Sequence, residues 1–192
     1  MPRLILASSS PYRAALLERL ELEFSAQSPA IDESLWAGET PEDYVCRLAI
    51  EKAQTLANDE PDAIIIGSDQ CSECRGEILG KPHTVERAVE QLCAASGQPV
   101  TLWTAVAVYD PATGRVRVAQ VPTQVQFRRL ALEAIQRYVN TEQPLDCAGA
   151  FKAEGLGITL FERVQSDDPN AILGLPLIAL TRLLAQTGLT LP

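Results

Sequence analysis

Near the start of the chain, Leu4-Ile5-Leu6-Ala7 runs directly into Ser8-Ser9-Ser10-Pro11-Tyr12-Arg13. An apolar strand leading into three hydroxyls, with a proline at the first helical position, leaves backbone N–H groups without intrahelical partners. With the serine hydroxyls and Arg13 they form a site for a phosphate or another anion; a serine-capped turn would use the same residues. Asp69 follows the apolar run Ala63-Ile64-Ile65-Ile66-Gly67 and Ser68. Read as the end of a central strand, this places a carboxylate where α/β sheets bind ligands, as general base, metal ligand or turn aspartate. Lys52 falls within the stripe Val45, Leu48, Ala49 and Leu56 of a helix. A lysine there snorkels, pairs with a carboxylate or faces an anion. Lys81 lies between Gly80 and Pro82, and Glu33 in Ile31-Asp32-Glu33. Glu33 and Asp69 can share a divalent cation while Arg13, Lys52 and Lys81 bind phosphates, the arrangement of phosphoryl chemistry. Taken singly, each of these charges also suits a solvated surface.

The elements that must hold these residues follow from periodicity and punctuation. Residues 3–7 read as a buried strand, 11–20 as a helix with Leu16, Leu17 and Leu20 on one face, and 24–26 as a short second strand. Pro41 opens a helix through Leu56, 63–67 form a central strand, and 70–80 a small hairpin or loop. Thr84 caps a helix to about Ala95. Residues 99–110 and 114–127 are long strands joined at Asp110-Pro111-Ala112-Thr113-Gly114, with Pro122 marking an edge or a bulge. A helix over 131–139, a glycine-bearing loop over 147–157, a strand over 158–164 and a final helix from Pro176 through Gln186 complete the pattern. Strict βαβ alternation is lacking, which predicts a mixed sheet with flanking helices.

With 192 residues and a net charge of −9 (16 basic, 25 acidic), the chain suits neither duplex nucleic acid nor an anionic membrane. An anionic substrate needs a local basic pocket. The first apolar run turns polar at Ser8 and none approaches a membrane span, so a cytoplasmic location is expected. Cys46, Cys71, Cys74, Cys93 and Cys147 are expected as free thiols; Cys71-Ser-Glu-Cys74 lacks the second ligand pair of a zinc site. No Walker loop, GxGxxG fingerprint or GxSxG elbow occurs, and His83 is the only histidine, which leaves little room for a serine triad.

Ser8-Ser9-Ser10-Pro11-Tyr12-Arg13, Ile31-Asp32-Glu33, Glu51-Lys52-Ala53, Gly67-Ser68-Asp69-Gln70 and Gly80-Lys81-Pro82, extended by Gly149 to Gly157 and Gly174-Leu175-Pro176, stand in the order found in Maf-like nucleotide pyrophosphatases. The chain resembles that family over nearly its whole length. The resemblance implies a fold related to inosine triphosphate pyrophosphatases: a long mixed β-sheet with flanking helices and two lobes around a cleft, with residues 1–192 as one domain. It implies hydrolysis of a nucleoside triphosphate to the monophosphate and pyrophosphate with Mg²⁺ or Mn²⁺, and allows a homodimer. By match, Asp69 is the proton acceptor and, with Glu33, a metal ligand, while Ser8, Arg13, Lys52 and Lys81 bind phosphates.

Many members carry Ser-Pro-Arg-Arg and Asp-Thr at the first and fourth motifs and act on dTTP and UTP. Tyr12 and Gln70 depart from both, and with Glu154 in Ala148–Gly155 they make the chain similar to the subgroup acting on 7-methyl-GTP. In that subgroup these three positions select the base. N7-methylation makes guanine cationic, so Tyr12 can stack on it with cation–π energy of roughly 0.5–2 kcal/mol. Glu154 can accept from N1–H and the exocyclic amine, and the Gln70 amide can read O6. The implied role is to sanitise modified nucleotides; dTTP or UTP hydrolysis, or nucleotide-dependent regulation of septum formation, are the alternatives.

Overall fold

The computed structural model describes residues 3–189 and 191. Its strands are β1 (Leu4–Ala7), β2 (Ser25–Ala26), β3 (Ile64–Cys74), β4 (Glu77–Leu79), β5 (Pro99–Asp110), β6 (Arg115–Phe127) and β7 (Phe161–Ser166). Its α-helices are α1 (Pro11–Glu18), α2 (Pro41–Asp59), α3 (Val85–Ala95), α4 (Leu132–Glu142) and α5 (Leu177–Ala185). The strands form one mixed sheet in the order β2-β1-β3-β5-β6-β7, with β4 added to β3. β1 is parallel to β2 and β3, whereas β3–β4 and β6–β7 are antiparallel. This is the mixed sheet with flanking helices that the sequence predicts. No helix among the described residues is long and apolar enough to cross a membrane.

The chain folds into two compact units and passes between them four times; β3, β5 and β6 contribute residues to both. The first unit contains residues up to Asp69, Thr104–Val121 and those from Asp168 on. Alternation along its parallel strands assigns two faces. Leu4, Leu6, Ile64 and Ile66 join Leu16 and Leu17 of α1 and Leu177, Leu180 and Leu184 of α5 in one core. The opposite face of β3 meets α2, whose buried side is Val45, Leu48, Ala49, Lys52, Ala53 and Leu56. Covered on both sides, these strands read as continuous apolar runs. Side-chain caps start the helices: Ser10 accepts from Arg13 N for α1, and Thr40 from Asp43 N for α2, each followed by proline.

The second unit contains Gln70–Trp103 and Pro122–Asp167. Its core includes Phe127, Phe151 and Phe161, packed edge to face with centroids 5.1–5.6 Å apart. α3, started by a Thr84 cap, packs on α4.

Several local expectations are corrected. β3 does not stop at Gly67 but continues to Cys74 and turns through Arg75 and Gly76 into β4. Asp69 therefore sits mid-strand, because Cys71, Ser72 and Cys74 are buried and β4 pairs with that extension. β7 pairs with β6 only from Thr123 on, so Pro122 stands one residue outside that ladder, and the ladder's irregularity falls at Gln126/Phe127 rather than at the proline. The 147–157 loop contains a 3₁₀ turn at Ala148–Ala150, and a second at Leu156–Leu160 delays β7 to Phe161.

None of the five cysteines is in a disulfide among the described residues. Burial pushes the Cys147 thiol up to about 12, with neighbouring Asp146 adding to the rise. Burial also raises Cys46 and Cys74. Cys93 is exposed on α3. With iodoacetamide at about pH 8, Cys93 is expected to be alkylated first and the buried Cys71 and Cys74 last, since the nucleophile is a thiolate that the reagent must reach. Peptide mass spectrometry over a time course checks the order.

Candidate active site

In the first unit, Glu33 and Asp69 converge on Lys52. The helical spacing that places Lys52 on the apolar side of α2 points it at β3, leaving it 6% exposed. Its Nζ lies 2.6 Å from Asp69 Oδ1 and 2.7 Å from Glu33 Oε1. Asp69 is equally buried, whereas the Glu33 side chain is half exposed. Withdrawing a lysine and an aspartate from water costs several kcal/mol per ion, of the order of what their attraction returns. An apolar pair would serve the core as well, so stability alone does not account for this arrangement.

Gly67 explains how helix and strand come this close. A Cβ there would lie 2.1 Å from the Ala49 carbonyl oxygen and 2.9 Å from Ala53 N. The α2 backbone rests directly on β3 one turn from Lys52 and two residues before Asp69. β1 ends at Ala7, paired with Gly67, while β3 runs on. The strand end that the sequence placed next to Asp69 is thus the carboxyl end of β1, beside the continuing β3.

Ser8 to Arg13 occupy that end of β1. Ser8 Oγ accepts from Ser10 N at 3.1 Å and from Arg13 Nη1 at 3.4 Å. Arg13 Nε donates to the Gly174 carbonyl at 2.9 Å. The same oxygen accepts from Ser68 Oγ at 2.9 Å. Gly174 has φ of 96°, a left-handed conformation that turns its carbonyl toward both donors. Burial pulls the Arg13 guanidinium below its ordinary value, and Asp69 and Glu33 oppose this, so the three charges act on one another. Ser8, Arg13, Glu33, Lys52 and Asp69 thus form one constellation. Tyr12 is partly exposed on α1 in the same unit.

Gln70, Lys81 and Glu154 belong to the second unit. Lys81 and Glu154 are exposed and Gln70 is half-buried. The segment carrying Lys81 is fixed through the Gly80 carbonyl, which accepts from Gln91 Nε2 at 3.1 Å and Gly149 N at 3.4 Å. The loop carrying Glu154 is tied to α4. Tyr138 Oη accepts from Lys152 N at 3.0 Å, and Glu142 Oε2 accepts from Leu156 N at 2.8 Å. A Cβ on Gly157 would lie 2.3 Å from the Lys152 carbonyl oxygen, so the loop closes tightly on itself.

Sequence reasoning missed Ser68 and the role of Gly174, which orient Arg13. It also missed Tyr44, Arg47 and Glu39, which hold the Glu33 loop. Tyr44, Arg47 and Glu51 stand three and four apart, a second stripe on α2 that helical spacing alone brings out.

Two carboxylates converging on one cation are a donor set for Mg²⁺ or Mn²⁺, which take one or two carboxylates and complete their shell with water and substrate phosphates. Groups of three or more acidic, histidine or cysteine ligands are lacking among the described residues.

The Maf-like protein family model matches residues 3–187. A 7-methyl-GTP pyrophosphatase of Pseudomonas aeruginosa is 53% identical over 192 residues, covering 100% of both chains. One of Aromatoleum aromaticum is 52% identical over 190 residues, covering 99% of this chain and 98% of its own. The structure of a HAM1 protein from Coxiella burnetii superposes with a TM-score of 0.53 at 16% identity, covering 97% of this chain and 100% of that one. That likeness concerns the fold alone. The sequence match along almost the whole chain, together with a charged constellation built from the family's motifs, makes this protein a member of the Maf family.

Proposed function

We propose that this protein is a nucleoside triphosphate pyrophosphatase that hydrolyses 7-methyl-GTP to 7-methyl-GMP and pyrophosphate, with residues 1–192 acting as a single Maf domain. The observation that carries the chemistry is the buried Lys52 bridging Asp69 and Glu33 beside Arg13. Relatives bearing that activity's name, identical at about half of all positions, support the substrate.

In this reading Asp69 accepts the proton of the water that attacks the α-phosphorus, and pyrophosphate leaves. Lys52 holds the Asp69 carboxylate in line through its contact at 2.6 Å. Arg13 and Lys81 bind phosphate oxygens and stabilise charge on the leaving group. Ser8 fixes the Arg13 guanidinium. Glu33 and Asp69 would hold Mg²⁺ or Mn²⁺, which when bound neutralises the triphosphate. Tyr12 stacks on the cationic base, Glu154 accepts from its N1–H and amine, and Gln70 reads O6. The acidic surface disfavours nucleic acid, so a free nucleotide is the substrate.

The test is pyrophosphate release from 7-methyl-GTP, GTP, dTTP and UTP in parallel, with Mn²⁺ or EDTA. The expected result is EDTA-sensitive release with 7-methyl-GTP preferred at least about tenfold, as a stacked cation at about 1.4 kcal/mol would give. Tyr12→Arg is expected to erode that preference. Preference for dTTP or UTP would overturn the specificity reading, and no release from any of the four would overturn the enzymatic one.

A further inference from the structure

Glu33 lies on an exposed loop, yet its carboxylate meets Lys52 at 2.7 Å. α2 supplies what holds it there. Tyr44 Oη donates to the Glu33 carbonyl at 2.9 Å, and Arg47 Nη2 donates to the Ser34 carbonyl at 3.0 Å. The guanidinium also grips the far end of the loop: Nε and Nη2 donate to the two Glu39 oxygens at 2.6 and 2.8 Å. Nη1 reaches Glu51 at 3.3 Å on α2 itself. Trp36 closes over the guanidinium, with its ring 4.0 Å from the Arg47 Cζ, and Trp36 N donates to Glu39 at 3.1 Å. Arg47 is almost enclosed, with its side chain 11% exposed although the loop residues 33–38 around it are exposed.

A surface ion pair would leave a loop free to move. Here one planar fork joins Ser34 and Glu39, the two ends of a six-residue span, to one helix, with an indole stacked on its face, a geometry a lysine cannot reproduce. The helix carrying Tyr44 and Arg47 also carries Lys52. One rigid element therefore sets the Glu33 backbone and the cation that its carboxylate meets.

We propose that Arg47, assisted by Tyr44, is a positioning residue that locks the 33–39 loop against α2 and so sets the affinity of the site for a divalent cation through Glu33. This rests on the reading of Glu33 as a metal-holding carboxylate given above. Arg47 does not touch substrate; its effect passes through the loop. Pre-organisation spares the ordering cost that a mobile loop would charge against each binding event.

The experiment measures Mn²⁺ affinity of the full-length, nucleotide-free protein by loss of the free-ion EPR signal. The variants are Arg47→Lys, Tyr44→Phe, Glu33→Gln and the Arg47→Lys/Glu33→Gln pair. Expected is a loss of affinity of about tenfold for Arg47→Lys and about threefold for Tyr44→Phe, with no further loss when Arg47→Lys is added to Glu33→Gln. Non-additivity of that kind separates action through Glu33 from general destabilisation. Should Arg47→Lys not fold, Tyr44→Phe, which removes one hydroxyl and leaves the helix intact, carries the test alone. Unchanged Mn²⁺ affinity in the Arg47 and Tyr44 variants, with Glu33→Gln weakened, overturns this inference and leaves the metal reading standing. An equal loss in the Glu33→Gln background overturns it as well. If Glu33→Gln binds Mn²⁺ as the wild type does, the metal reading falls and the inference falls with it.

Discussion

Asp69→Asn is expected to lower pyrophosphate release by about a thousandfold, the middle of the range for removing a positioned general base. The substitution keeps the size of the side chain and an oxygen that can accept from Lys52 Nζ, now 2.6 Å away. It removes the charge that takes up a proton. Losing one partner of a buried pair ordinarily costs about 3–5 kcal/mol when the other charge is stranded. Lys52 is not stranded, because Glu33 still meets it at 2.7 Å. The fold is therefore expected to survive, with nucleotide binding retained through Arg13 and Lys81. Single-turnover release of pyrophosphate, with equilibrium dialysis of the nucleotide, separates the two effects. Turnover above about a tenth of wild type would remove Asp69 from the proton-acceptor role. Lost turnover with intact binding would support it. A septum phenotype that persisted in this variant would favour nucleotide binding over hydrolysis as the physiological activity.

Gly67→Ala is expected to be the most damaging single-methyl addition in the first unit, although Gly67 donates nothing to the chemistry. The new Cβ would lie 2.1 Å from the Ala49 carbonyl oxygen, well inside any van der Waals distance, and the obstacle is helix backbone with no rotamer to yield. Either α2 lifts from β3 or β3 bends. Overpacking commonly costs about 1–3 kcal/mol, and this contact with a fixed carbonyl belongs at or above the upper end. Urea denaturation checks this as a fall in midpoint at constant slope. Activity is expected to drop beyond the loss of stability, because lifting α2 separates Lys52 from Asp69. Gly38, whose added Cβ would meet nothing within 4 Å, has a φ of 80°, so alanine there is strained without a clash. It is expected to cost about 1 kcal/mol and to leave the Lys52–Asp69 pair intact. Equal losses for the two glycines would refute the close-packing argument.

Much of the fold is legible from local pattern. Prolines after Ser10 and Thr40, and Thr84 ahead of its helix, mark starts that the caps realise, because capping is decided within four residues. The apolar run at 63–67 and the stripe holding Lys52 are equally local, since the periods of strand and helix fix which side chains share a face. The misplaced end of β3 shows the limit. Residues 68–74 are mostly small or polar, and they remain in the strand because β4 pairs with Ser72, Glu73 and Cys74 and because most of the stretch is buried, neither of which composition records.

By itself the sequence determined which charges lie out of pattern, on which kind of element each sits, and, through its ordered motifs, the family. Only the tertiary structure decided that Lys52 meets a carboxylate 17 residues ahead of it and another from the loop behind it. It alone turned Gly174 toward Arg13 and Ser68, and made Arg47 the clasp of the Glu33 loop. The physical reason is range. Caps and periodicity act within a few residues along the chain, whereas an ion pair depends on where β1 stops beside β3 and on how closely α2 settles over a side chain that is absent at Gly67.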